Sequence, residues 1–281
     1  MRTLVHLSDL HFGRTDPAII QPLIALVGTI APDVVVVSGD LTQRARSEQF
    51  KEARRFLDAL PTPQIVVPGN HDVPLYNILR RFRKPLEKFR RYISDDVEPE
   101  YVDNEIAVLG INTARSLTVK DGRVNEQQIE RIRARLRTLD RRIIKIIVTH
   151  HPFDLPEHYD EDQLVGRAPI AMNMFASSGV DLLLAGHLHA SHAGSTAARY
   201  KTDDYSALVV QAGTATSTRG RGEPNSFNVI RAEPLRIVIQ RYSWSPESGS
   251  FDITAAEAFE RISNIWSRTA QCDAKRGSIQ G

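Results

Sequence analysis

The sequence predicts an α/β fold, and three observations lead there. Short apolar runs alternate with segments of helical period, which is the pattern of βαβ units. One run, Val34-Val35-Val36-Val37, is wholly β-branched, as expected of a central strand covered on both faces. The 281 residues, 41% apolar and 25% charged, suffice for one large globular domain or two modest ones.

In order along the chain, residues 3–7 read as a buried strand and 19–30 as a helix. Residues 33–38 form the clearest strand. Residues 48–60 form a helix with Phe50, Ala53, Phe56, Leu57 and Leu60 on one stripe, and 64–67 the next strand. Over 75–93, Leu75, Leu79, Phe82, Leu86, Phe89 and Ile93 recur at helical spacing, backed by an arginine-rich solvated face over 80–91. Pro85 kinks or splits that helix, because proline lacks the N–H and its ring clashes with the preceding turn. Strands are expected at 106–111, 143–149 and 180–185, and helices at 126–139 and 168–178. Residues 207–210, 226–230 and 236–242 alternate as antiparallel strands would, 255–266 reads as a last helix, and 274–281 as a loose end.

Composition narrows the function classes. A formal charge of +2 argues against a general nucleic-acid binder, which shows a strongly basic face. The single cysteine, Cys272, excludes a disulfide framework within the chain and any cysteine-rich metal site, and fits a reducing compartment. The opening residues turn polar too early for a signal peptide, and no apolar run approaches the roughly 20 residues that span a bilayer. A cytoplasmic setting without a membrane span is the expectation.

Five short motifs follow expected strands: Asp9-Leu10-His11, Gly39-Asp40, Gly69-Asn70-His71-Asp72, His150-His151 and Gly186-His187-Leu188-His189. In open α/β sheets, ligands bind at the carboxyl ends of strands, so clusters distant in sequence converge there. Six of the nine histidines lie in these motifs. Carboxylate and amide oxygens with imidazole nitrogens, and no thiolate, suit Mn, Fe or Zn. Asp-x-His at a strand end places both side chains on one side, while Gly39, Gly69 and Gly186 clear space where the backbone leaves the strand. Outside the motif roles, His6 is expected in the core, His151 as structural, Asn112-Thr113 near the cleft and His192 as an ordinary loop residue.

In this order the motifs resemble the calcineurin-like metallophosphoesterase superfamily. Leu7-Ser8-Asp9-Leu10-His11-Phe12-Gly13 and Val67-Pro68-Gly69-Asn70-His71-Asp72 are similar to bacterial class III cyclic-nucleotide phosphodiesterases. The resemblance runs from Thr3 to His189. It implies that Asp9, His11 and His189 hold one metal and Asn70, His150 and His187 a second, with Asp40 bridging. His71 would face the phosphate, as general acid or electrostatic stabiliser, oriented by Asp72 or Asp40. The expected architecture is the metallo-dependent phosphatase fold, a four-layer α/β/β/α sandwich of two mixed sheets with outer helices. A catalytic domain would cover 1–245 and a helical or flexible tail 246–281.

The implied activity is hydrolysis of a small phosphodiester, with a cyclic nucleotide as leading candidate, by in-line attack of a metal-bridging hydroxide. Two divalent or mixed-valence ions, Mn and/or Fe or else Zn, clamp the attacking and leaving oxygens in such a reaction. Two alternatives stand beside it: a UDP-2,3-diacylglucosamine pyrophosphatase-like hydrolase with an apolar cap from 75–93, and a non-catalytic metal-stabilised binding module. Among partners, a small phosphodiester and a second copy in a homodimer are expected; nucleic acid is disfavoured.

Overall fold

The computed structural model describes residues 1–75, 78–116, 121–156, 159–200, 205–219 and 222–269. Residues 274–281, Cys272 and His158 lie outside the described residues. The strands are β1 (Arg2–Leu7), β2 (Val34–Ser38), β3 (Gln64–Val67), β4 (Glu100–Val102), β5 (Ile106–Gly110), β6 (Ile144–Val148) and β7 (Leu182–Ala185). They continue with β8 (His192–Ser195), β9 (Leu208–Gln211), β10 (Ser226–Glu233), β11 (Arg236–Ser245), β12 (Ser250–Ile262) and β13 (Ile265–Arg268). The helices are α1 (Pro17–Ile30), α2 (Ser47–Asp58), α3 (Ile78–Arg83), α4 (Glu87–Tyr92), α5 (Glu126–Arg137) and α6 (Ala168–Ser178).

Two mixed sheets form. The seven-stranded one has the order β13-β12-β11-β10-β1-β2-β3, and the six-stranded one the order β4-β5-β6-β7-β9-β8. Strands β1, β2 and β3 are parallel, as are β5, β6, β7 and β9; β10 to β13, β4 and β8 pair antiparallel.

Strand parity explains the layering. In the β2 run, Val34 and Val36 face the core between the sheets, while Val35 and Val37 face the helices outside. Leu4 divides from Val5 and Leu7 in the same way. In the second sheet Ile146, Leu184 and Val210 point inward while Ile147, Leu183 and Val209 point out. The outer face of the first sheet is covered by Ile19, Leu23 and Val27 of α1 with Phe50 and Phe56 of α2. Ile129 and Leu136 of α5, with Phe175 of α6, cover the other. Helix, sheet, sheet and helix make the four expected layers.

Three local expectations need correction. The segment 255–266 is not a helix: it lies in β12 and β13, which extend the seven-stranded sheet, so the region after residue 245 is not a helical tail over its described part. Ala255, Ala256, Glu257 and Ala258 favour helix intrinsically, but pairing along β11 and burial of Phe259 and Trp266 between the sheets override that preference. Over 75–93 Pro85 splits the helix as expected, α3 ending at Arg83 and α4 starting at Glu87, and it is the burial pattern that differs. Phe89 is buried as the stripe predicts, yet Phe82 is 54% exposed. Arg81 is buried, unlike a solvated face. Strands β4 and β8 were not expected; they are short and sit at sheet edges. Among the described residues, no helix is long and apolar enough to cross a membrane.

Candidate metal centre

The loops after β1, β2, β3, β6 and β7 bring all seven expected donors together at one edge of the two sheets. The β1 loop is tied to the β2 loop by Asp9 N to Gly39 O at 3.2 Å and His11 N to Asp40 O at 2.9 Å. Asp9 and His11 share a side, as alternation predicts, but by a different backbone. Both are left-handed, with φ of 52° and 50°, as are Asp40, His187 and His189 at 53°, 72° and 57°. Non-glycine residues there are strained, and such strain persists where the surroundings over-determine it, often at functional sites.

Each carboxylate is fixed by one oxygen and leaves the other facing the centre. Ser8 Oγ and the His187 N–H donate to Asp9 Oδ2 at 2.7 and 3.0 Å. Asp9 Oδ1 is fully buried with no directed hydrogen bond. The His71 N–H donates to Asp40 Oδ1 at 2.8 Å, leaving Oδ2 inward. His150 uses Nδ1 against the Ser38 carbonyl at 2.8 Å, which aims its Nε2 inward.

The inward atoms fall into two groups. In the first, His189 Nε2 lies 3.1 Å from Asp9 Oδ1 and 3.2 Å from His11 Nε2. In the second, His150 Nε2 lies 3.1 Å from Asn70 Oδ1 and 3.3 Å from His187 Nδ1. Asp40 Oδ2 stands between them, 3.8 Å from His11 Nε2 and 3.4 Å from His150 Nε2. Donors bound at about 2.1 Å to one ion sit roughly 3.0–3.4 Å from each other, so the groups fit two cations. His and Asp residues are thus positioned for a dinuclear metal site.

The electrostatics agree. Burial opposes ionisation of Asp9 and Asp40, but the surrounding imidazoles, His189 beside Asp9 and His150 beside Asp40, hold both carboxyls well below the usual range. Burial would neutralise His150, yet Asp40 pushes it up to about 9. His187 is driven down to about 3 by burial and then by the His150 charge. The cluster therefore holds positive charge between its carboxylates, the place a cation takes when it displaces protons.

The three motif glycines are sterically required. A Cβ on Gly39, where φ is +89°, would meet His150 Nδ1 at 2.8 Å. On Gly69 it would meet Asp40 Oδ1 at 2.2 Å, and on Gly186 Ser8 Oγ at 1.8 Å.

His71 lies beside this centre, and its expected orientation needs correction. Neither Asp72 nor Asp40 holds the ring: Nδ1 donates to the Gln43 carbonyl at 2.8 Å, leaving Nε2 towards the cleft. Burial lowers its pKa. Asp72 instead binds the backbone N–H groups of Thr42 at 2.9 Å and Gly69 at 3.0 Å, joining the β2 and β3 loops. Burial, then the Asp40 charge, raises its pKa to about 6.

The other expectations resolve similarly. His6 is buried with its Nε2 on Ser38 Oγ at 2.9 Å. Thr113 is buried behind the site with Oγ1 at 2.8 Å from His151 Nδ1, rather than in the cleft. His151 comes closer than a purely structural role suggests, with a ring nitrogen within 4.8 Å of ligand atoms of His150 and His187. His192 begins β8 and borders a separate cavity with Asp154 and Arg199.

A cleft of about 210 Å³ opens over the centre, bordered by Asp40, Asn70, His71, His187, His189 and Arg219, with Asp121, Asp162 and Gln163. Arg219 is the notable residue that sequence reasoning missed: its Nη1 donates to His71 Nε2 at 3.1 Å. Only the Gly- and Arg-rich composition of the sequence Thr218-Arg219-Gly220-Arg221-Gly222 offered a signal.

A four-layer α/β sandwich thus gathers, at its strand ends, His and Asp side chains positioned for two cations. The calcineurin-like phosphoesterase family model matches residues 2–191, and the chain belongs to that family. Among curated proteins, a probable glycerophosphodiester phosphodiesterase, GpdQ of Arcobacter nitrofigilis, is 26% identical over 162 residues, covering 56% of this chain and 57% of the relative. GpdQ of Enterobacter lignolyticus is 35% identical over 80 residues, covering 25% of this chain and 29% of the relative. The UDP-2,3-diacylglucosamine pyrophosphatase LpxG of Chlamydia muridarum is 33% identical over 76 residues, covering 26% of this chain and 23% of that protein. The chain thus spans well under two thirds of these relatives. Two solved structures share the fold. Purple acid phosphatase PPD1 from yellow lupin (Lupinus luteus) has a TM-score of 0.72 at 12% identity, over 92% of this chain and 54% of that one. A dimetal phosphatase from Danio rerio has a TM-score of 0.64 at 15% identity, over 85% and 95%.

Proposed function

We propose that the protein is a dinuclear-metal phosphodiesterase acting on a small phosphodiester. One observation carries the reading: two donor groups of ion-binding spacing share a single buried oxygen, Asp40 Oδ2. In this reading Asp9, His11 and His189 hold one ion, Asn70, His150 and His187 the other, and Asp40 both. Asn70 Oδ1, at 3.1 Å from His150 Nε2, supplies the oxygen of the second group. Bound there, two cations polarise phosphoryl oxygens and make water a nucleophile near neutral pH. Mn, Fe and Zn all suit the oxygen and imidazole set.

The chain's own residues do the rest. Asp40, fixed by the His71 N–H, keeps the two halves in register. His71 presents Nε2 to the cleft because Gln43 occupies Nδ1. Its ring and the Arg219 guanidinium flank the phosphoryl group, orienting it and stabilising charge that develops on its oxygens.

The GpdQ relatives support a glycerophosphodiester-like substrate, and the motif resemblance supports a cyclic nucleotide. The similarity to LpxG favours a second reading, a pyrophosphatase acting on a nucleotide-linked sugar. Turnover separates them. Protein loaded with Mn, Fe or Zn, its metal content measured on the same sample, is assayed on bis(p-nitrophenyl) phosphate, glycerophosphodiesters, 2′,3′- and 3′,5′-cyclic nucleotides and a UDP-sugar. Hydrolysis of diesters with about two ions per chain is expected. Fully loaded protein that leaves every diester intact ends the proposal, and cleavage of the UDP-sugar alone transfers it to the second reading.

A further inference from the structure

Charge is unevenly spread along the chain. Residues 78–92 carry seven Lys and Arg against one Glu, a net +6 in a chain whose total is +2, so the remaining residues are net acidic. The fold sets that stretch on the surface as α3 and α4, against α2. Leu86 and Phe89 anchor it in the core, the Lys88 ammonium donates to the Ala45 carbonyl at 2.8 Å, and the Tyr92 ring stacks on Phe50 at 6.2 Å.

With one side so anchored, the other meets solvent. Phe82, Arg83, Lys84, Glu87, Arg90 and Arg91 are all exposed. Residues three and four apart share a helix face, so Arg90 and Arg91 lie on the side of Glu87. Lys84 joins that side across Pro85 by pairing with Glu87 at 3.6 Å. Four cations therefore stand against one carboxylate. Among the described residues Arg83, Arg90 and Arg91 pair with no carboxylate: Arg90 donates to the Asp95 carbonyl, and Arg91 lies over the Tyr92 ring, 5.5 Å from its centroid. Phe82 belongs by spacing to the stripe of Leu86 and Phe89, yet its ring stands in water beside Arg83 and Lys84. A basic helical face that also holds out an aromatic ring suits the boundary of an anionic bilayer, where the ring sinks below the headgroups and the cations stay among lipid phosphates. A nucleic-acid duplex would match the cations but bury no ring.

We propose that the exposed face of α3 and α4 docks the protein on an anionic lipid surface. Phe82 enters the headgroup boundary, and Arg83, Lys84, Arg90 and Arg91 lie on lipid phosphates. The face adjoins the cleft, because Arg81, the residue before Phe82, borders the pocket beside His71.

The test is co-sedimentation of the full-length protein with vesicles of phosphatidylcholine alone, or of phosphatidylcholine and phosphatidylglycerol at about two to one. It reads binding without turnover, so its result is separate from that of the diesterase assay. Binding is expected to the anionic vesicles only, and to weaken with added salt. A cation near such a surface strengthens binding about fivefold, so Arg90→Gln with Arg91→Gln should weaken it at least about tenfold, while the paired lysine changes retain most of it. Phe82→Ser should weaken it at least about fivefold. Arg137→Gln with Arg141→Gln removes the same charge from exposed sites outside this face and should leave binding within about twofold. Thermal melts of each variant confirm folding. No binding to the anionic vesicles, or a loss as large in the Arg137 and Arg141 control, overturns the face. Binding that Phe82→Ser leaves unchanged, or a single- or double-stranded oligonucleotide held more tightly than the vesicles at the same salt, overturns lipid as its occupant.

Discussion

Gly69→Ala tests the centre by moving one atom group. Gly69 has φ −104° and ψ −178°, which alanine adopts freely, so the substitution adds no backbone strain and acts only through its methyl. That methyl would lie 2.2 Å from Asp40 Oδ1 and 2.3 Å from the Asp40 backbone nitrogen. Ordinary contact is about 3.4 Å, so Asp40 must retreat by about 1 Å. Its loop cannot retreat freely, because the Asp40 carbonyl holds the His11 N–H at 2.9 Å. Overpacking of this kind costs about 1–3 kcal/mol. Losing the His71 N–H bond to the carboxylate adds about 1.5–3 kcal/mol. Together these come to about 2.5–6 kcal/mol. At about 2.1 cal/mol/K per residue over 281 residues, each kcal/mol lowers Tm by about 1.7 °C, which gives about 4–10 °C. Since Asp40 Oδ2 serves both donor groups, both ions should be lost together. The assay is a calorimetric melt with metal content and diester turnover on the same preparation. Gly28→Ala is the control, because a Cβ there meets nothing within 4 Å and replaces a glycine inside α1. Gly69→Ala protein that keeps two metals, wild-type turnover and wild-type Tm refutes the shared-carboxylate argument.

Other outcomes follow from the same geometry. His71→Ala should keep its metal content but lose about 10²-fold or more in kcat, and loss of metal instead would make His71 a ligand. His6 is neutral in the fold because burial lowers its pKa to about 3, so below its unfolded value of 6.5 the unfolded chain binds the extra proton. Stability is therefore lost as pH falls from 6.5 towards about 3, by up to about 1.4 kcal/mol per pH unit. His6→Gln should flatten that dependence in urea melts at pH 6 and 4.5, and an unchanged slope counts against it. Trp266→Ala empties a fully buried site between the sheets and removes one of the donors to the Asp181 carboxylate, the indole N–H at 3.2 Å, while Arg261 and the Lys145 N–H remain. A loss of about 3–5 kcal/mol in denaturant melts is expected, and a loss below about 1 kcal/mol would show that β13 contributes little.

Much of the centre was legible because its information is local. A β-branched run such as Val34 to Val37 can only be a covered strand, and a polar residue just past a strand end lies at the sheet's carboxyl edge. The motif order therefore located Asp9, His11, Asp40, Asn70, His150, His187 and His189 without any coordinates. The steric need for Gly39, Gly69 and Gly186 was legible for the same reason.

Tertiary structure decided the rest. Ala255 to Ala258 spell a helix by propensity, but the open edge of β11 and the gap that Trp266 fills draw the segment into the sheet. Gln43 orients His71 through a backbone carbonyl, which every residue possesses and no motif can mark. Arg219 reaches the cleft from the loop between β9 and β10, far in sequence from the donors, and Arg81 turns inward onto two carbonyls from an otherwise solvent-facing run. Sequence by itself determined which side chains gather at the strand ends, since strand periodicity and motif order are properties of neighbours in the chain. Which charges border the cleft was decided by long-range packing, because side chains on distant loops meet only after the two sheets close on each other.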